Sequence, residues 1–454
     1  MKSLALITLV LPLAASATTI TVNTTADNLT GGDGQCTLRE AIANVNAAAD
    51  TSNGDCTAGS GSGDTITFDL TLPAKSRSAT IKLTLGELDI QRDATIVGPT
   101  AVSLHVSGGR ASRIFGISAG TTASVSDLTM EKAASRDPRW QNHWAPGGAI
   151  VNSGNLTLTN CTLTHNKSRS GGGILNVGTM TLINSTLDHN RAAYGGAAIS
   201  NSGTMTLTNC TLKSNVFTWF RRDAGYTAGG ISNGGGTLTL TNCTLEGNRG
   251  VHGGAISNYA GGPYHPGGLT LINCTLTHNY ARWGAGGGIA NNGAMTLINC
   301  TIAGNKAWTG RGSLGGGGIW QYPADQDPNG VGGTAEVTNT IIAGNGEGRD
   351  CGGDRATSNG HNLDGDGTCF TDGGTDLVNT DPMLAPLANY GGVTNTMALC
   401  SGVGVPDASC TGVSQAIDAG DDAVTGPPLN LSTDQRGSPR LSGAHVDIGA
   451  YEAQ

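Results

Sequence analysis

Between Gly147 and Asn345 the chain repeats one short pattern, and few folds can accommodate it. Its clearest copy runs Gly147-Gly148-Ala149-Ile150-Val151-Asn152, passes Ser153-Gly154, and continues Leu156-Thr157-Leu158-Thr159-Asn160-Cys161-Thr162-Leu163-Thr164-His165-Asn166. The step from Cys161 to Ser185 is 24 residues and that from Ser185 to Cys210 is 25. Later copies carry Cys243, Cys274 and Cys300, and a last one carries Asn339-Thr340. Self-similarity at this period implies a stacked solenoid, in which each unit buries its apolar face only against its neighbours.

The interior of the unit selects the kind of solenoid. Leu156 and Leu158 alternate with Thr157 and Thr159, the period of a strand with one buried face. Cys161 and Leu163 fall out of phase with that alternation, so the chain turns a corner at Asn160. Ile150 supplies a third short strand, and nothing in the unit has a helical period. Three short strands per coil describe an all-β fold, a parallel β-helix, and disfavour leucine-rich or helical repeats. Asparagine recurs in three columns, beginning at Asn152, Asn160 and Asn166. Coils stack about 4.8 Å apart, so each column is expected to form an amide ladder. Asn160-Cys161-Thr162 also fits a glycosylation sequon, but the ladder is the preferred reading.

Composition agrees with a long, thin core. There are 72 Gly and only 5 Phe in 454 residues, and charged residues make up 13%. A net charge of -9 argues against general nucleic-acid binding. Lys2, the apolar stretch Leu4 to Leu13 and Ala15-Ser16-Ala17 read as a secretory signal over residues 1–17. No later stretch is apolar enough to span a bilayer. Export suits the 11 cysteines. Cys36/Cys56, Cys351/Cys369 and Cys400/Cys410 are expected disulfides. Cys161, Cys210, Cys243, Cys274 and Cys300 share one column and are expected to stay buried thiols.

Several motifs resemble known families. Gly-Gly-x-Ile followed by Leu-x-x-Asn is similar to the repeat of the chlamydial polymorphic outer membrane proteins. Cys36-Thr37-Leu38-Arg39-Glu40-Ala41 resembles the CSLREA domain of secreted bacterial β-helix proteins, with Thr37 in place of the usual Ser. A helix is expected from Thr37 to Ala49, capping the first coil, with Arg39 and Glu40 as an ion pair within it. Gln415-Ala416-Ile417-Asp418-Ala419-Gly420, Asp434-Gln435-Arg436-Gly437 and Asp447-Ile448-Gly449-Ala450-Tyr451-Glu452 resemble the choice-of-anchor Q domain. These resemblances imply a single-stranded, right-handed parallel β-helix with a short N-terminal capping helix. The expected divisions are a cap over 18–60, irregular coils over 61–130, repetitive coils over 131–349 and a C-terminal segment over 350–454. The chain stops at Gln454 without the sorting tail usual in that family, which leaves surface anchoring open. Asp434, Arg436, Arg440, Asp447 and Glu452 are expected to tie the C-terminal segment onto the last coil.

The segments between Leu-x-x-Asn and the next Gly-Gly carry a second pattern. They hold Trp140 and Trp144; Lys167 and Arg169; Arg191 and Tyr194; Trp219, Arg221, Arg222 and Tyr226; Arg249; Tyr280, Arg282 and Trp283; Lys306, Trp308 and Arg311. Shared register places these along one side as a basic, aromatic stripe. Exposed Trp and Tyr beside Arg suit acidic polysaccharides or cell-surface glycans. The competing reading folds these side chains back over the flank. An enzyme acting on an acidic polysaccharide is the alternative. It would need paired carboxylates or a base beside a cation, for which Asp223 with Arg222 and Tyr226 is the one candidate group. Asp364-Gly365-Asp366-Gly367 reads as a turn rather than a calcium loop, and no metal or cofactor is expected.

Overall fold

The computed structural model describes residues 16–72, 76–134, 146–218, 227–260, 267–282, 285–308, 315–326, 332–346, 349–370 and 374–454. Its body is a stack of parallel coils forming four sheets. Two sheets have 12 strands, one has 10 and the last has six. Neighbouring coils pair in direct register: Leu156 opposes Met180, Leu158 opposes Leu182, and Leu163 opposes Leu187. The core is a set of apolar columns. Ile150, Ile174 and Ile199 form one, Leu158, Leu182 and Leu207 another, and Leu163, Leu187 and Leu212 a third, all fully buried.

The corners follow from backbone chemistry. Asn160, Asn184, Asn209, Asn242, Asn273, Asn299 and Asn339 adopt left-handed φ between 48° and 55°, a conformation Asn tolerates better than most residues. Gly171 has φ 66°, and a Cβ on Gly148 would lie 1.8 Å from the Gly172 carbonyl oxygen. The Gly-Gly corner therefore brings backbone onto backbone, which no side chain permits.

Two of the three asparagine columns form continuous buried ladders. In the first, Asn152 Nδ2 donates to Asn176 Oδ1 at 2.8 Å, and the chain of bonds continues through Asn201, Asn233, Asn258 and Asn291 to Gln321 Oε1. In the second, Asn166 donates to Asn190, and so on through Asn215, Asn248, Asn279, Asn305 and Asn345 to Asp350. The third column is not continuous; it bonds in pairs such as Asn209 to Asn184 and Asn273 to Asn242.

The structure corrects three expectations. Each regular coil has a fourth strand of only two residues, such as Lys167–Ser168 and Arg191–Ala192, too short to show any alternation. The cap helix, Leu38–Ala47, is closed by a capping box between Thr37 and Glu40, and Arg39 pairs with Asp27 at 2.6 Å rather than with Glu40. Adjacent helical residues point apart, and Glu40 at the third position is placed to reach back to Thr37. The C-terminal segment folds back along several coils instead of sitting on the last. Thr394 bonds Asn242, Gln435 bonds Thr244, Arg440 bonds Asn273, and the Ala450 amide bonds Thr301. It covers Thr244, Thr275 and Thr301, whereas their earlier counterparts Thr162, Thr186 and Thr211 remain partly exposed.

All three expected disulfides are present, and the five column cysteines are free and buried. No helix among the described residues is long and apolar enough to cross a membrane.

Candidate binding site

The fourth sheet begins directly after the second asparagine ladder. Its strands are Lys167–Ser168, Arg191–Ala192, Val216–Phe217, Arg249–Gly250, Tyr280–Ala281 and Lys306–Ala307. The second residue of each is buried, so alternation turns the first outward. Parallel pairing then aligns Lys167, Arg191, Val216, Arg249, Tyr280 and Lys306 in one column. The ladder fixes this column closely, because each buried Asn immediately precedes the outward residue and is bonded to the coil on either side.

A second row runs beside it. His165, His189, Ser214 and His278 hold left-handed φ between 51° and 56° at the residue just before the ladder asparagine. The His165 and His189 rings stack with centroids 5.2 Å apart and planes 3° from parallel. His189 Nδ1 lies 2.6 Å from Asp188 Oδ1, and Thr164 Oγ1 lies 2.8 Å from His165 Nδ1.

These two rows line two clefts. The first, about 360 Å³, is bounded by Arg110, His165, Lys167, His189 and Arg191, with Ala133, Ala134 and Asn166. The second, about 420 Å³, is bounded by Arg249, His278, Tyr280 and Lys306, with Asn279 and Gly304. Both lie within the range of small-ligand clefts, roughly 300–1,000 Å³. Neither is lined by a carboxylate. On the adjoining strands one register column holds Glu131, Thr164, Asp188, Lys213 and Glu246.

Of the stripe residues picked out from sequence, Lys167, Arg191, Arg249, Tyr280 and Lys306 fall in the outward column, and Arg282 and Trp308 are exposed at the exit of the fourth sheet. The amides of these last two donate to Gly250 and Ala281, so each loop leaves the coil in register. Arg169 stands over the Tyr194 ring at 5.2 Å, an instance of a stripe residue folded onto a neighbour. Trp140, Trp144, Trp219, Arg221, Arg222, Asp223, Tyr226, Trp283 and Arg311 lie outside the described residues, as does most of the loop following Tyr259. The histidine row was missed. Its signal was the Thr-His-Asn of the first copy and its counterparts, and the left-handed corner at the histidine cannot be read from that pattern alone.

Other polar clusters have structural partners. Asp364 Oδ1 accepts from the Asp366 and Gly367 amides and Oδ2 from Cys369, as a turn does. The turn brings Asp364 and Asp366 within 4.8 Å of Asp350. Burial pushes the Asp350 carboxyl up to about 6, with its two neighbouring acids adding to the effect against bonds from Asn345. In the C-terminal segment Arg436 pairs with Asp434 at 2.7 Å, and fully buried Arg440 lies 3.6 Å from Glu452.

The model of the family described as the right handed beta helix region matches residues 141–265. With the four parallel sheets, this defines the class of protein as a right-handed parallel β-helix. Among solved structures, the crystal structure of pectate lyase Pel9A is similar, with a TM-score of 0.43 and 14% identity over 97% of this chain and 98% of that one. No curated protein matches the sequence. No residue role passes from the lyase to this chain.

Proposed function

We propose that this β-helix is exported and binds an acidic polysaccharide outside the cell, along the fourth sheet. One observation carries the reading: the outward column and its histidine row form two cationic clefts lined without a carboxylate, on a chain whose net charge is -9. A surface that concentrates positive charge against the sign of the whole molecule attracts anions selectively. Guanidinium groups pair with carboxylates in two-pronged geometry, and Tyr280 offers a flat face to a sugar ring. The side chains stand on paired strands, so the site is largely preformed. The class of protein leaves activity open, since function resides in the site rather than the scaffold.

Titration of the mature protein with neutral and acidic polysaccharides, followed by tryptophan fluorescence and calorimetry, tests the proposal. Saturable binding restricted to acidic chains is expected, weakened about tenfold or more by Arg191→Glu. Equal binding of neutral glycans, or none of any glycan, refutes it. The size of the recovered polymer separates binding from cleavage, for which Asp223, Arg222 and Tyr226 are the residues to vary.

A further inference from the structure

We infer that the ligand is a linear polyanion lying parallel to the solenoid axis and engaging both clefts at once. The inference rests on the proposed function and specifies the class of chain that fits it. Lys167 and Lys306 are five coil steps apart, roughly 24 Å at strand spacing. The column between them is not uniformly charged. Val216 occupies the third coil and Ser214 the corner beside it, so the cations fall into two groups. Arg110, Lys167 and Arg191, with the stacked His165 and His189, make the first; Arg249 and Lys306, with His278 and Tyr280, make the second.

A small anion fills one group and gains nothing from the other. A chain that reaches both converts the second contact into an intramolecular one, and avidity follows from effective concentration without any new type of contact. The direction is set by the ladder, which repeats the same outward position at every coil. Asp188 and Glu246 border the column on the adjoining strands at the second and fourth coils, with Lys213 between them.

The test uses the mature protein and a size series of alginate oligomers, from the disaccharide to chains longer than the six coils. The expected result is an affinity gain of roughly 100-fold once the oligomer spans both clefts. Lys167→Glu with Arg191→Glu should abolish that gain while sparing disaccharide binding at the second cleft. Arg249→Glu with Lys306→Glu should likewise abolish the gain, while sparing disaccharide binding at the first cleft. All four side chains are at least partly exposed, and an unchanged melting temperature verifies the fold. Val216→Lys should strengthen long chains and leave the disaccharide unaffected. An affinity flat with length, or a gain surviving in either double variant, overturns the two-cleft arrangement while leaving anion binding intact. No binding at any length overturns the proposed function and this inference with it.

Discussion

At the scale of single residues, a small set of amides and thiols holds the stack together. Asn215 Oδ1 accepts from both the amide and the side chain of Asn190, while its own Nδ2 donates to the Leu187 carbonyl and to Asn248. Asn215→Ala strands several buried polar groups at once, each costing about 1–3 kcal/mol. We expect a loss of about 3 kcal/mol or more in urea unfolding; a loss below about 0.5 kcal/mol contradicts the ladder's importance. The thiols act as small apolar side chains. Burial pushes Cys161 up to about 11 and Cys243 and Cys300 well above the ordinary thiol value, whereas hydrogen bonds from neighbouring thiols pull Cys210 down and, against burial, Cys274 as well. All five are buried, so lack of access keeps them unreactive. Native protein should therefore be inert to a thiol-labelling reagent at neutral pH and take up five labels only on unfolding. Rapid labelling of the native state contradicts this.

At the scale of elements, the two ends should answer pH in opposite directions. Asp27 is subject to burial, but bonds from Arg39 and from the Thr84 and Leu85 amides outweigh it and hold its carboxyl below the usual value. Its stabilising effect is present above the unfolded value of about 4 and is lost as pH falls through the folded one. In the C-terminal segment burial pushes Asp447 up to about 6 and Glu452 up to about 7, against the pull of Arg440. Those groups favour the folded state below about pH 4 and lose that effect as pH rises through 6 to 7. Hydrogen exchange, corrected for intrinsic rates, should show the cap loosening first in acid and the C-terminal segment better protected at pH 5 than at pH 8. Glu452→Gln should flatten the second response; a response unchanged in that variant contradicts the assignment. Element by element, the coil was legible because Leu-Thr alternation, the phase break at Asn160 and the Gly-Gly pair each state a local rule. The cap helix was legible from one apolar face. The two-residue fourth strand was not, since its register comes from the neighbouring ladder, and the return path of the C-terminal segment depends on contacts some 150 residues apart.

At the scale of the whole molecule, the fold sorts charge by face. The strands that begin at Thr244, Thr275 and Thr301 are covered by the C-terminal segment, while the fourth sheet presents its cations on the separate short strands that follow in each coil. That basic residues recur in one loop register could be read from sequence, but their division into two clefts could not. It depends on Val216 interrupting the column and on corners that bring histidines from one segment beside cations from the next. The most direct measurement is the affinity of a long alginate chain at low and high ionic strength, for the wild-type protein and for Arg191→Glu with Arg249→Glu. Partly exposed cations are screened by salt over about 10 Å at 0.1 M. The account predicts tight, salt-sensitive binding by the wild type, at least tenfold weaker in the variant, with neutral glycans inactive throughout. Binding that ignores salt, or that the charge reversal leaves unchanged, would contradict it.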